Sequence, residues 1–282
     1  MSVVEHPVVF ECAGEALLGI VAAPPAPASV GVLILVGGPQ YRIGSHRQYV
    51  TLTRYLAQHG IAAMRFDYRG MGDSSGEMRT FADIEADITS AIDAFIKTCP
   101  SLERIVLWGL CDAASASLIY WDATRDTRLA GMVLADPWVS EVSFAKRQVR
   151  HYLQRPLDPE FWLKLARGGV NVVHGIQSFL SSLSAVRPSA EGADGLTESE
   201  LAIRMEHALN AYPGHVLMLL SGDLAAKNFV EHCQNGRTWN RLLRRGTLKA
   251  RELPEADHTF STETDRKNVE TLTCEWVKST FR

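Results

Sequence analysis

Along this chain, short continuous apolar runs alternate with segments whose apolar residues recur at helical spacing, and that alternation predicts a sheet interleaved with helices. Val30–Val36 is apolar without a break, as in a parallel strand covered on both faces. Ile61–Phe66, Ile105–Leu110, Gly131–Ala135, Val216–Leu220 and Lys249–Leu253 read as further strands. Between them, helices are expected over about Tyr49–His59 and Phe81–Thr98, the second with Ile84, Ile88, Ala91, Ile92 and Phe95 on one face. A third follows from Ser115 to Trp121, and a fourth, about Asp265–Phe281, closes the chain. Val8–Glu11 and Ala16–Ala22, with Gly14 between them, predict an antiparallel hairpin at the sheet edge.

The alternation stops between Trp138 and about Tyr212, where several helices without a clear strand are expected, including His151–Leu165 and Gln177–Leu183. The polar stretch Arg187–Glu200, with Gly192 and Gly195, reads as a mobile loop. The expected architecture is α/β: a mostly parallel central sheet flanked by helices, with a helical cap inserted after the sixth strand. Residues 1–137 and 213–282 would form the core and 138–212 the cap.

Bulk properties exclude several classes. A chain of 282 residues with 46% hydrophobic content can bury one large core. A net charge of −3 leaves no basic footprint for nucleic acid. The five cysteines, Cys12, Cys99, Cys111, Cys233 and Cys274, are widely spaced without C-x-x-C pairs, so neither a disulfide framework nor a thiolate zinc site is indicated and a reducing cytoplasm fits. No His/Asp/Glu cluster has metal-ligand spacing, and neither metal nor cofactor is expected. Met1–Phe10 lacks a signal-peptide pattern and no run of 18 apolar residues occurs, so a soluble, unprocessed chain without membrane insertion is expected.

Chemistry concentrates at Gly109-Leu110-Cys111-Asp112-Ala113, where an apolar strand breaks into a helix. Small residues two before and two after the apex let such a turn push Cys111 outward as a nucleophile, and a helix starting behind the sulfur favours thiolate. The bland alternative is a small buried hydrophobe at a strand end. A nucleophile of this kind needs a base, and His258, in the loop between the last strand and the closing helix, overhangs the edge where the turn opens. Chain order favours Asp223, in Leu220-Ser221-Gly222-Asp223, as the acid that orients the imidazole; Asp136, one strand earlier, is the alternative. Oxyanion donors are expected from the backbone N–H of Asp112 and from Gly38 or Gln40, since Pro39 has no N–H. A carboxylate beside the nucleophile would oppose a developing anion, so Asp112 is expected to point away or to pair with Arg42, Arg47 or Arg69. Asp67 and Arg69 read as braces for the loops around the site. Tyr41, Trp138 and Trp162 are candidate pocket residues.

Together the cysteine elbow, the Asp67-Tyr68-Arg69-Gly70-Met71-Gly72-Asp73-Ser74 loop, the Gly222-Asp223 strand end and the Asp257-His258 loop resemble the α/β-hydrolase superfamily in order along nearly the whole chain. Val36–Arg42, Gly44–Gln48, Gly109–Asp112 and Asp257–Ser261 are similar to the exosortase A system-associated hydrolase 1 group. Ala113 stands where that group favours glycine, and Gly37-Gly38 where many relatives carry His-Gly. The resemblance implies a cysteine-dependent hydrolase acting on an ester, thioester or lactone through an acyl-enzyme, in a setting linked to bacterial exopolysaccharide and exosortase loci. Its partner would be a small acyl substrate carried on a lipid or sugar. Acyl transfer from the same intermediate and a non-catalytic ligand-binding role are the competing expectations.

Overall fold

The computed structural model describes residues 3–38, 40–81, 83–137, 198–235 and 238–281. In chain order the elements are β1 (Val4–Cys12), β2 (Glu15–Ala23), β3 (Val30–Leu35), α1 (Gln48–Gln58), β4 (Ala62–Phe66), α2 (Glu85–Thr98), β5 (Arg104–Leu110), α3 (Asp112–Thr124), β6 (Leu129–Ala135), α4 (Glu198–Ala211), β7 (His215–Ser221), α5 (Leu224–Asn235), α6 (Thr238–Arg245), β8 (Leu248–Leu253) and α7 (Glu263–Thr280). Among the described residues the eight strands form one sheet in the order β1-β2-β4-β3-β5-β6-β7-β8. β2 pairs antiparallel with β1 and β4, and every pairing from β4 onward is parallel.

The unbroken apolar runs lie where burial on both faces demands them: every residue of β3 and β4 is buried, and every residue of β5 after Arg104. The hairpin turns at Ala13 and Gly14, both at positive φ. Trp108 carries the core from the sheet to the helices, meeting the Tyr49 ring edge-on at 5.8 Å and donating from Nε1 to Thr273 Oγ1 at 3.3 Å. Helices α5 and α6 were not legible as helices. The short α6 carries three arginines and shows only Trp239 and Leu242, three apart, as its buried apolar pair.

By internal contacts the chain divides into two units, Met1–Val139 with Ala202–Arg282, and Ser140–Leu201. Residues 202–212, expected in the cap, belong to the larger unit. There the Tyr212 hydroxyl donates to the Leu129 carbonyl at 3.2 Å and its ring meets Trp121 edge-on at 5.1 Å. The expected cap helices, Trp138 and Trp162 lie outside the described residues. Among the described residues no helix is long and apolar enough to cross a membrane.

Candidate active site

Strand β5 ends and helix α3 begins on either side of Cys111, whose backbone is forced to φ 64°, ψ −128°. That conformation costs a non-glycine residue roughly 1–3 kcal/mol and persists only where its surroundings over-determine it. They do so here. Cys111 N–H donates to the Ala135 carbonyl at 2.9 Å, tying the apex to the neighbouring strand end, and Ala114 N–H donates back to the Cys111 carbonyl at 3.0 Å. A Cβ on Gly109 would lie 2.4 Å from the Ala113 carbonyl, so this glycine is required by close approach of strand and helix. Ala113, which stands where the resembled group favours glycine, keeps its methyl in the core at 1% exposure. Residue 111 is 8% exposed and helix α3 starts directly behind it.

His258 reaches this edge of the sheet from the loop between β8 and α7. Asp257 shapes that loop by accepting from Thr259 N–H and Ser261 N–H, each at 3.0 Å, and from both hydroxyls, while Phe260 turns back at φ 50° into the core. Burial works against the Asp257 charge, but the Ser261 and Thr259 donors prevail and hold its pKa below the usual carboxylate value. Gly222 N–H donates to the Ala256 carbonyl at 3.0 Å, fastening the loop to the end of β7.

The carboxylate at the imidazole is that of Asp136, not Asp223. His258 Nδ1 lies 3.1 Å from Asp136 Oδ2, with the Asp136 side chain wholly buried. Asp136 sits just past β6 at φ 43°, and Ser221 holds it from β7, its N–H donating to Oδ1 at 2.8 Å and its hydroxyl to Oδ2 at 2.6 Å. Asp223 stands ahead of α5, its N–H donating to Ser221 Oγ at 3.1 Å. Chain order misled because β6 and β7 are neighbours: both strand ends offer an aspartate, and the backbone turn at Asp136 decides which one faces the histidine. Ser221 was missed. Its signal, a hydroxyl residue closing an apolar strand, is too common to single it out.

On the opposite side of the cysteine, the expected oxyanion donors are already engaged. Gly38 N–H donates to Asp112 Oδ2 at 3.0 Å, and Gln40 N–H donates to the Gly38 carbonyl at 2.8 Å. The Gln40 side chain accepts from Ser45 N–H at 3.0 Å. Asp112 therefore pairs with a backbone amide rather than an arginine. Arg42 is committed to Asp67 and, at 2.6 Å, to Asp73; Arg69 holds Asp87 at 2.7 Å. Asp67, buried at 1% exposure, also accepts from Arg42 N–H at 2.6 Å and Asp73 N–H at 3.1 Å, so the expected bracing of the loops is present. Burial raises the Asp112 pKa, against the opposing hydrogen bonds of Gly38, of its own N–H and of the Cys111 side chain, and against the nearby His258. Tyr41 is 45% exposed, beneath the Arg42 guanidinium at 5.9 Å. Among the described residues no group of three or more His, Cys, Asp and Glu is placed to hold a metal.

Residues 30–179 match the family model Hydrolase_4, described as serine aminopeptidase, S33. The quorum-quenching protein AidA of Acinetobacter baumannii is 27% identical over 185 residues, 64% of this chain and 54% of that protein. The polyketide transferase grgF of a Penicillium species is 27% identical over 126 residues, 43% of this chain and 42% of the transferase. The chain thus spans about half the length of these curated relatives. Among solved structures, the esterase Pf2001 of Pyrococcus furiosus superimposes with a TM-score of 0.70 at 16% identity, covering 99% of this chain and 92% of that one. At that identity the likeness speaks for the α/β-hydrolase fold.

Proposed function

Because this chain belongs to the serine aminopeptidase, S33, family of α/β-hydrolases, we propose that it is an acyl hydrolase working through Cys111, His258 and Asp136. The observation that carries this reading is the 3.1 Å His258–Asp136 pair, borne beside the strained elbow whose apex is Cys111. Asp136, itself fixed by Ser221, accepts from Nδ1–H and so leaves Nε2 to exchange a proton with the nucleophile. Cys111 Sγ attacks an acyl carbonyl while its proton passes to Nε2. Collapse of the tetrahedral adduct breaks the bond to the leaving alcohol or thiol, which takes that proton. Water, deprotonated by His258, then releases the acid and restores the thiol. The family description names a serine enzyme; cysteine at the apex suits thioesters, esters and lactones, whose leaving groups depart without the strong protonation an amide requires.

Acyl transfer is the second reading. It is favoured by two relatives named polyketide transferases, grgF and, at 30% identity over 84 residues, claH of Penicillium crustosum. In that version an acceptor hydroxyl replaces water in the second step. The quorum-quenching relative is compatible with acyl chemistry on a small diffusible substrate. In this reading the protein works in the cytoplasm, and the resemblance to exosortase-associated hydrolases gives it a lipid- or sugar-linked substrate.

Turnover of matched short and long esters, thioesters and lactones, with and without an alcohol acceptor, tests the proposal. Wild type should release acid from at least one class, and Cys111→Ala should release none above background. A hydrolase leaves the product distribution unchanged by the alcohol; a transferase diverts most of it to the new ester. Equal turnover by wild type and Cys111→Ala would overturn the reading.

A further inference from the structure

In an acyl-transfer elbow the oxyanion is received by the N–H of the residue after the nucleophile and by an N–H from the loop after the first parallel strand. In this chain those groups belong to Asp112 and Gly38, and the second of them is taken by a side chain of the protein itself. Gly38 N–H donates to Asp112 Oδ2 at 3.0 Å across 74 residues, and the rise that burial imposes on the pKa of the same carboxyl is opposed by its own backbone N–H and by the Cys111 side chain beside it. Oδ1 is closed off from solvent against Gly37, where even a methyl group would meet it at 2.8 Å. An aspartate at the first position of a helix ordinarily faces water and interacts with the helix dipole. Asp112 instead reaches out of its helix to the loop after β3 and takes the amide that would otherwise meet the oxygen of a tetrahedral adduct.

We infer that the Asp112 carboxyl occupies the oxyanion site of the resting protein and must leave it before a substrate carbonyl is activated. The inference rests on the proposed role of Cys111. Among the described residues no ion pair to this carboxyl is formed, Arg42 and Arg69 being paired elsewhere, so it is held by the Gly38 hydrogen bond, which a substrate can replace. A substrate whose carbonyl takes over the Gly38 and Asp112 N–H groups displaces it. Poor binders leave the site closed and the thiol at rest. A tie that served only to fix the loop after β3 would make the opposite prediction, because cutting it would loosen the site and slow acylation.

The test measures alkylation of Cys111 by iodoacetamide, followed on its own peptide by mass spectrometry, with and without butyrate as a carboxylate probe. In Asp112→Ala the vacated site should admit butyrate, which then slows Cys111 alkylation about tenfold, the equivalent of a hydrogen bond to a charged group. In wild type, with the site filled from within, butyrate should change the rate less than about twofold. Asp112→Asn keeps the shape and an acceptor oxygen without the charge, and should show intermediate protection; it answers the question if the alanine variant fails to fold. Acylation by an activated ester, read in parallel, should be about tenfold faster in Asp112→Ala than in wild type. Equal butyrate protection in wild type and both variants overturns the inference. So does slower acylation in a folded Asp112→Ala. Failure of the Cys111 proposal looks different: no acyl adduct forms on any variant, while the butyrate arm still reports whether the site was filled.

Discussion

His258 Nδ1 lies 3.1 Å from Asp136 Oδ2 across 122 residues of sequence, and Ser221 donates its hydroxyl to the same oxygen at 2.6 Å. The pair joins the loop after β8 to the end of β6 and passes over β7, so three strand ends set the imidazole's direction. Asp136→Asn keeps the shape and Ser221's partner but alters the tautomer the histidine must adopt. It should lower kcat by about 10²–10⁴-fold with a nearly unchanged melting temperature. Asp223→Asn should change kcat by less than about threefold. Steady-state kinetics of the two variants side by side checks this, and the reverse ranking would return the acid to Asp223.

Asp112 is a carboxyl whose pKa burial raises. A folded-state pKa above the unfolded value means that the contribution to stability is intact below about pH 4 and is lost as pH rises through the raised value, because the buried group must then ionise. Asp112→Asn does not titrate. Its melting temperature should exceed that of wild type by a few degrees at pH 8, and the gap should close towards pH 4. Thermal melts across that range decide it; a gap that widens on acidification would contradict the assignment.

Gly109 and Ala113 flank the apex unequally. A Cβ at Gly109 would meet the Ala113 carbonyl at 2.4 Å, both of them main-chain-bound and unable to yield. Gly109→Ala should therefore destabilise by roughly 3 kcal/mol or abolish folding. Ala113→Gly, which installs the commoner elbow residue, should cost only about 1 kcal/mol, from lost helix propensity and a vacated methyl, and retain activity. Chemical denaturation of both variants measures the difference.

Asp67 ties the loop after β3 to the loop after β4 by accepting from the Arg42 backbone, the Arg42 guanidinium and Asp73 N–H. Asp67 is fully buried and the Arg42 side chain 15% exposed, so removing one partner strands the other. Asp67→Ala should cost about 3 kcal/mol and also slow acylation, because the loop it steadies carries Gly38. Melting curves together with acylation rates test this, and an unchanged acylation rate in a folded variant would show that the brace does not reach the site.

What the sequence made legible was what period and punctuation encode. Unbroken apolar runs located the parallel strands, the Gly-x-Cys turn located the elbow, and the loop before the closing helix located His258. What it could not show were choices made by the backbone in space. Asp136 and Asp223 end neighbouring strands, and only the φ of 43° at Asp136, held by Ser221, turns one of them to the imidazole. Asp112 looked like a charge in need of an arginine because sequence shows cations and hides amides; its partner is the N–H of Gly38, a group every residue except proline carries.

An acyl-enzyme on Cys111 is tested most directly by intact-protein mass spectrometry after mixing wild type and Cys111→Ala with short and long acyl thioesters. Wild type should gain one acyl mass, mapping to Cys111, absent from Cys111→Ala and longer-lived in Asp136→Asn, where the second step is slowed. Turnover that proceeds with an acyl group on another residue, or equally well in Cys111→Ala, would contradict it.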